Sequence, residues 1–115
     1  LITSIDSTID WSKIDNTIKI NLYRIIQESM QNINKYAKAT TINVTIEKDK
    51  ENLRLTIKDD GIGFDVSKKS KGIGIQNIEA RVKSCHGKFE MKSKKGEGTS
   101  LFVTMLMEQN LEKAS

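Results

Sequence analysis

The chain has 115 residues, which suits one compact domain and leaves little room for a second. Its apolar fraction of 37% excludes wholesale disorder, and no apolar run approaches the ~20 residues that a membrane-spanning helix requires. The net charge of +4 is compatible with a nucleic-acid surface, but the few aromatic residues are not interleaved with the lysines as stacking platforms would be. We therefore predict a solvated lysine-rich surface and no nucleic-acid partner.

The cysteine content and the first residue indicate the cellular compartment and the kind of parent protein. The single cysteine, Cys85, allows no internal disulfide and fits a reducing, cytoplasmic compartment. Because the first residue is Leu1 rather than Met, we expect a fragment of a longer protein, whose membrane anchoring stays open. We predict no membrane contact by the fragment itself. It is predicted to form a single domain over 1–115, with a core over about 11–107 and a peripheral polar tail over 108–115.

The first half of the chain predicts a strand, a helix and a hairpin. Residues 1–15 contain β-branched residues with some alternation, which predicts a short strand followed by a turn. Over 14–39, apolar residues recur at spacings of three and four, which predicts a helix that Asp15 or Asn16 can cap. Its apolar stripe consists of Ile18, Leu22, Ile25, Ser29 and Ile33. Residues 41–47 and 53–60 alternate as strands, and the short polar link between them predicts an antiparallel hairpin.

The second half predicts a helix followed by two strands. Residues 74–85 place Ile75, Ile78 and Val82 at helical spacing, and His86-Gly87 stands where a helix end needs a left-handed residue. Residues 88–93 and 99–107 read as strands joined by the turn "KKGEG". The order β, α, β, β, glycine loop, α, β, β predicts an α+β fold. We expect a two-layer α/β sandwich whose mixed, mostly antiparallel sheet has helices packed on one face.

Polar residues border the apolar stripe of the long helix. Glu28, Asn32 and Lys35 follow one another at spacings of four and three, so they share one arc of the helix. A solvated helix edge has the same pattern. Asparagine is mildly unfavourable inside a helix, however, and its amide oxygen is a ligand that suits Mg²⁺.

Two Gly-x-Gly pairs flank a lysine-rich spacer. "DDGIGF" follows a predicted strand, and "KGIGIQNI" leads directly into a predicted helix, where backbone N–H groups and the helix dipole can hold phosphate oxygens. No Gly-Lys-Ser/Thr follows, which excludes a P-loop, and Val66 stands where a dinucleotide fingerprint needs its third glycine. Taken singly, each pair is more typical of a simple turn.

Four segments occur together in a fixed order: "ESMQNINKYA", "DDGIGF", "GIGIQNI" and "GEGTSL". In this combination the chain, from about Trp11 to Met107, resembles the ATP-binding catalytic domain of sensor histidine kinases. That domain belongs to the superfamily shared with gyrase B subunits, mismatch-repair ATPases and ATP-driven chaperones, and the resemblance implies its Bergerat-type ATP-binding fold. The long helix is most similar to the nitrate- and quorum-sensing subgroup, which has Glu-x-x-x-Asn-x-x-Lys-His.

The resemblance implies a phosphate end of an ATP site. Asn32 would coordinate the Mg²⁺ that bridges the phosphates, and Glu28 would support the metal shell or polarise the attacking group. Lys35 would contact a phosphate. The lysine-rich spacer would form a lid, and the residues that close over the phosphates from it would be Gly72, Ile73 and Gly74.

The resemblance also implies an adenine end. Asp59 would accept a hydrogen bond from the adenine amino group, which discriminates adenine from guanine. Gly61 and Gly63 would let the backbone pass beside the base, and Thr99 would lie near the adenine. Tyr36 would line the nucleotide pocket, although the subgroup usually has histidine there. We favour a structural role for the second aspartate, Asp60.

The phosphoryl acceptor of the family is a histidine on a separate dimerising helical domain. The only histidine here, His86, lies at a predicted helix end before a glycine, so we predict a turn or surface residue. The resemblance therefore implies a fragment that binds Mg-ATP, with the acceptor helix elsewhere in a homodimeric parent and a response regulator as the next acceptor. The alternatives are a stand-alone serine kinase of the anti-sigma-factor type and a non-catalytic nucleotide-binding interaction module.

Overall fold

The computed structural model describes residues 2–34, 38–63 and 73–107, apart from the side chains of 73–75. Within these residues the chain forms strands, two α-helices and one 3₁₀ turn at Trp11–Lys13. The strands are β1 (Ile2–Ile5), β2 (Ile42–Asp49), β3 (Asn52–Asp59), β4 (Lys88–Ser93) and β5 (Thr99–Leu106), and the helices are α1 (Asn16–Asn32) and α2 (Ile73–Ser84). The predicted order of elements is thereby confirmed, and the predicted tail over 108–115 lies outside the described residues.

The strands join one sheet in the order β1-β2-β3-β5-β4. β1 runs parallel to β2, and the other neighbouring pairs are antiparallel. Asp49 pairs with Asn52, so the β2–β3 hairpin turns through Lys50 and Glu51 alone, and Lys50 has a φ of 58°. This left-handed residue lets so short a connection reverse the chain. The sheet is mixed and mostly antiparallel, as predicted.

The core lies between one face of the sheet and the two helices. In β3, Leu53, Leu55 and Ile57 are buried, whereas Arg54 between the first two and Lys58 after the last are exposed. Since alternate side chains of a strand point to opposite faces, this alternation gives the sheet one covered and one solvent-facing side. The helical residues buried against the covered side are Ile18, Leu22, Ile25 and Ser29 of α1 and Ile78 and Val82 of α2. Ile33 packs partly buried against this cluster, so the predicted stripe is confirmed.

The ends of the helices differ in detail from the prediction. Asp15 occupies the N-cap position of α1, but its side chain makes no capping hydrogen bond; its carbonyl accepts from the N–H groups of Ile18 and Lys19. The predicted helical stretch to residue 39 was too long, because Lys38 has a φ of 51°, which a right-handed helix excludes. Residues 35–37 lie outside the described part of the chain.

The C-terminus of α2 follows the prediction. His86 has a φ of 54° and donates its N–H to the carbonyl of Lys83, while Gly87 donates to the carbonyl of Val82. These two bonds form a Schellman motif, in which the left-handed residue is His86 itself. His86 is exposed at this turn, which confirms the predicted turn or surface position.

Candidate functional site

A polar row crosses the helix-facing side of the sheet at one end. Asp59, the last residue of β3, pairs directly with Thr99 of β5, which in turn pairs with Ser93 of β4. The hydroxyls of Thr99 and Ser93 lie 2.8 Å apart and share a hydrogen bond. All three residues continue rows whose other members face the core, so the sheet register alone brings the polar groups together on the helix-facing side of the sheet. Thr99 therefore lies beside Asp59, and Ser93, which no motif in the sequence indicated, joins them.

The carboxylate of Asp59 is half-buried and accepts hydrogen bonds from two backbone N–H groups. Its Oδ1 accepts a hydrogen bond of 2.8 Å from the backbone N–H of Gly61, and the backbone N–H of Thr99 also donates to the carboxylate. Burial raises the pKa of Asp59 above its ordinary value, the charge of Asp60 acts in the same direction, and the two backbone donors oppose the rise. A carboxylate has about four acceptor positions, so the two backbone donors leave acceptor capacity for a ligand.

Asp60 points into the protein's own backbone. It accepts hydrogen bonds from the N–H groups of Thr40 and Thr41, each at 2.8 Å, and from the Thr40 hydroxyl at 2.5 Å. The Asp60 N–H in turn donates to the carbonyl of Thr41. These donors lower the pKa of Asp60 to about 2. Asp60 thus ties the connection that follows α1 to the end of β3, and the structural role that the sequence favoured is confirmed.

The first glycine pair packs against the β4–β5 turn. Gly63 has a φ of 65°, and a Cβ on it would collide with the carbonyl oxygens of Lys94 and Gly98, the latter at 2.9 Å. Gly98 has a φ of 79°, and a Cβ there would collide with the carbonyl oxygen of Asp59. In addition, Gly96 donates its N–H to the carbonyl of Ile62 at 2.5 Å. Gly63 and the two glycines of the β4–β5 turn, Gly96 and Gly98, therefore hold the loop after Asp59 against the turn before Thr99. The motif alone did not indicate this packing role.

The second group of candidate residues lies on the helices. Glu28 and Asn32 are half-buried on α1, next to the buried stripe. The Glu28 carboxylate accepts a hydrogen bond of 3.2 Å from Nδ2 of Asn77 on α2. The two residues are 49 positions apart, and no motif in the sequence indicates their contact. Within the described residues no group of three or more His, Cys, Asp or Glu side chains could hold a metal ion by itself.

The remaining predicted residues follow α1 or lie at the start of α2. Lys35, Tyr36 and Gly72 lie outside the described residues, and Ile73 and Gly74 form the backbone of the first turn of α2. Gly74 thus lies in the first turn of the predicted helix. In the described part of the chain, no helix is long and apolar enough to cross a membrane.

Known proteins resemble this chain in sequence and in fold. Over 96 residues it is 41% identical to the sensor histidine kinase YdfH of Bacillus subtilis, covering 80% of this chain and 24% of that protein. Over 89 residues it is 35% identical to the signal transduction histidine-protein kinase/phosphatase DegS of Brevibacillus brevis, covering 76% of this chain and 23% of that protein. The chain therefore spans about a quarter of the length of these curated relatives.

A solved structure shares the fold at low sequence identity. The histidine kinase domain of the blue-light activated histidine kinase from Erythrobacter litoralis EL346 superposes with a TM-score of 0.75 at 15% identity, covering 94% of this chain and 52% of that one. The family model of histidine kinase-, DNA gyrase B- and HSP90-like ATPases matches residues 17–109. This match extends from α1 to just beyond β5, so it includes both groups of candidate residues. The chain belongs to the family of histidine kinase-, DNA gyrase B- and HSP90-like ATPases.

Proposed function

We propose that this chain is the ATP-binding catalytic domain of a two-component sensor histidine kinase. In the parent protein it binds Mg-ATP and donates the γ-phosphoryl group to a histidine on a separate dimerisation domain, from which a response regulator then receives it. The names of the two curated relatives support this assignment over a serine kinase or a non-catalytic module.

The placement of Asp59 is the single observation that carries the proposal. The half-buried carboxylate of Asp59, with one oxygen held by the Gly61 N–H, presents a fixed acceptor at the end of β3. The 6-amino group of adenine is a donor, whereas guanine has a carbonyl oxygen at the same position. A fixed acceptor therefore favours ATP, because GTP would leave the partly desolvated carboxylate facing another acceptor. Thr99, beside Asp59 in the register, supplies a hydroxyl to the same end of the site.

The phosphate end is proposed for α1 and the start of α2. Mg²⁺ prefers hard oxygen ligands, keeps several waters, and in nucleotide sites takes one or two protein groups together with the phosphates. The amide oxygen of Asn32 and the carboxylate of Glu28 fit this donor set, since they stand one helical turn apart and form no closed protein cage. Bound there, Mg²⁺ would neutralise charge on the phosphates during transfer. Lys35 and the segment Gly72, Ile73 and Gly74 are proposed as further phosphate contacts.

Calorimetric titration tests the binding half of the proposal. We expect the chain to bind Mg-ATP and to discriminate against Mg-GTP. The variant Asn32→Ala should lose roughly tenfold or more of the Mg²⁺-dependent affinity. Gln31→Ala is the matched control, because Gln31 is an exposed neighbour on the same helix and should leave the affinity unchanged. Absence of ATP binding, or equal affinity for ATP and GTP, would contradict the site.

The kinase half needs the parent protein. With radiolabelled ATP, the longer chain should label a histidine outside residues 1–115, and the label should pass to an aspartate of the response regulator. Acid-stable label on a serine of a separate protein would instead favour the anti-sigma-factor type of kinase. Tight ATP binding without any transfer would favour a non-catalytic module.

A further inference from the structure

The hydrogen bond between Asn77 and Glu28 joins the two helices next to the proposed phosphate end. Nδ2 of Asn77 donates to Oε1 of Glu28 at 3.2 Å, at the long end of the usual range for an N–H···O bond. Within the described residues the structure shows no further hydrogen bond or ion pair to Glu28, so none of these residues occupies Oε2. In the part of the chain that the structure describes, one carboxylate oxygen thus accepts a hydrogen bond and the other does not.

The stability of α2 does not account for Asn77. Its side chain is exposed on the fifth residue of the helix, where asparagine is less favourable than alanine. The packing of α2 rests on Ile78 and Val82, which are buried. What the Asn77 side chain does in the described structure is donate to Glu28.

We infer that Asn77 is a positioning residue for Glu28 and that it holds the carboxylate so that Oε2 can support the metal shell of Mg-ATP. This inference rests on the proposed function. Glu28 has three side-chain torsions, and an exposed glutamate without a partner samples many orientations. The amide of Asn77 reduces that freedom before the nucleotide arrives. Because Asn77 stands one turn into α2, it also couples the helix that begins at the second glycine pair to the carboxylate on α1.

The test measures how strongly Mg²⁺ enhances ATP binding. Calorimetry is carried out with ATP in EDTA and with ATP in Mg²⁺. For each variant, the dissociation constant in EDTA divided by the dissociation constant in Mg²⁺ gives the enhancement ratio. Asn77→Ala should lower this ratio about three- to tenfold, the range expected for loss of one hydrogen bond at a partly exposed carboxylate. Asn77→Gln retains an amide donor and should recover part of the loss. Gln76→Ala, the exposed neighbour on α2, should leave the ratio unchanged.

A second arm separates positioning from any structural effect. In a Glu28→Ala background, Asn77→Ala should change the ratio no further, since the group it orients is gone. Thermal unfolding of Asn77→Ala should occur at the temperature of the parent chain or slightly above it. In the metal-free protein, the Asn77 side-chain amide signals in nuclear magnetic resonance spectra should move on Glu28→Ala and stay in place on Gln31→Ala.

Two outcomes overturn the inference, and they are distinguishable from failure of the proposed function. A ratio that Asn77→Ala leaves unchanged contradicts the positioning role, as does an equal loss with and without Glu28. In either case the parent chain still binds Mg-ATP and the proposed function stands. If the parent chain does not bind ATP at all, the proposed function and the inference fail together.

Discussion

The charge of Asp59 can be removed without changing the shape of its side chain. In Asp59→Asn, the amide oxygen can take the place of Oδ1 and keep the bond from the Gly61 N–H, which is 2.8 Å long in the parent. With that oxygen held, the amide nitrogen occupies the other position. The group that faces the base then changes from an acceptor to a donor, while the Gly61 N–H keeps its partner.

The expected effect on nucleotide binding follows from this reversal. A hydrogen bond to a charged group contributes about 1.5–3 kcal/mol, so its loss should weaken ATP binding roughly 10- to 150-fold. The new donor matches the carbonyl oxygen of guanine, and GTP binding should therefore improve or stay constant. The measured quantity is the ratio of the dissociation constants for Mg-GTP and Mg-ATP, which should fall towards or below one.

Asp59→Asn should not lower the stability of the fold, although it weakens ATP binding. Burial raises the pKa of Asp59, so the folded state holds its proton more tightly than the unfolded state does. Stability is therefore lost as the pH rises from about 3.8 through the raised pKa, and the ionised carboxylate disfavours the folded state at neutral pH. The side chain is only half-buried, and water screens much of this penalty. Asp59→Asn should therefore unfold at pH 7 no earlier than the parent chain.

Asp60→Asn is the matched control for Asp59→Asn. It is the same substitution at the next residue, but the Asp60 carboxylate is occupied by Thr40 and Thr41 and is not expected to meet the base. It should leave the preference for ATP over GTP intact. Unchanged ATP affinity in Asp59→Asn would refute the assignment of the adenine contact. Parallel loss of ATP and GTP binding together with a lower unfolding temperature would show that Asp59 acts through the fold instead.

Three further predictions concern the framework of the site. Gly63→Ala should lower the free energy of unfolding by roughly 3 kcal/mol or more, because its Cβ has no room. Gly96 also has a positive φ, but a Cβ there would meet nothing within 4 Å, so Gly96→Ala should lower the free energy of unfolding by only about 1 kcal/mol. Equal losses of unfolding free energy for the two variants in a denaturant titration would contradict the packing role of Gly63. Ile25→Ala should cost about 2–5 kcal/mol, whereas Ile20→Ala, on the exposed face of α1, should cost little. Because the pKa of Asp60 is lowered, the stability that its carboxylate contributes is present above pH 3.8 and is lost as the pH falls towards about 2. The difference in unfolding temperature between the parent and Asp60→Asn should therefore shrink through that window. A constant difference would contradict this contribution of the Asp60 carboxylate.

Local periodicity explains how much of the fold the sequence could predict. The stripe from Ile18 to Ser29 repeats with the helical period, and Leu53, Leu55 and Ile57 repeat with the period of a strand. Each pattern depends on neighbours within a few residues. The end of the long helix was less predictable, since the left-handed residue beyond it is Lys38 rather than the glycine that usually marks such a position.

The contacts that the sequence did not predict join distant positions. Asn77 and Glu28 are 49 residues apart, and Asp60 and Thr40 are 20 apart. No repeat in the chain relates the members of such a pair, and each residue taken singly looks like an ordinary polar surface group. The tertiary fold brings them together, so their roles became visible only in the structure.

The two ends of the proposed site rest on different supports, which makes their contributions separable. The adenine end is built on the sheet, where the register places Asp59 beside Thr99 and interlocking glycines fix the adjacent loops. The phosphate end is built on α1 and α2 and includes the hydrogen bond between Asn77 and Glu28. Changes at independent sites add in free energy, whereas changes within one network do not. We therefore expect Asp59→Asn to change base preference without changing the Mg²⁺ enhancement, and Asn77→Ala to do the reverse. The double variant should show both effects at full size, and a shortfall of more than about threefold would mean that the two ends form one coupled network.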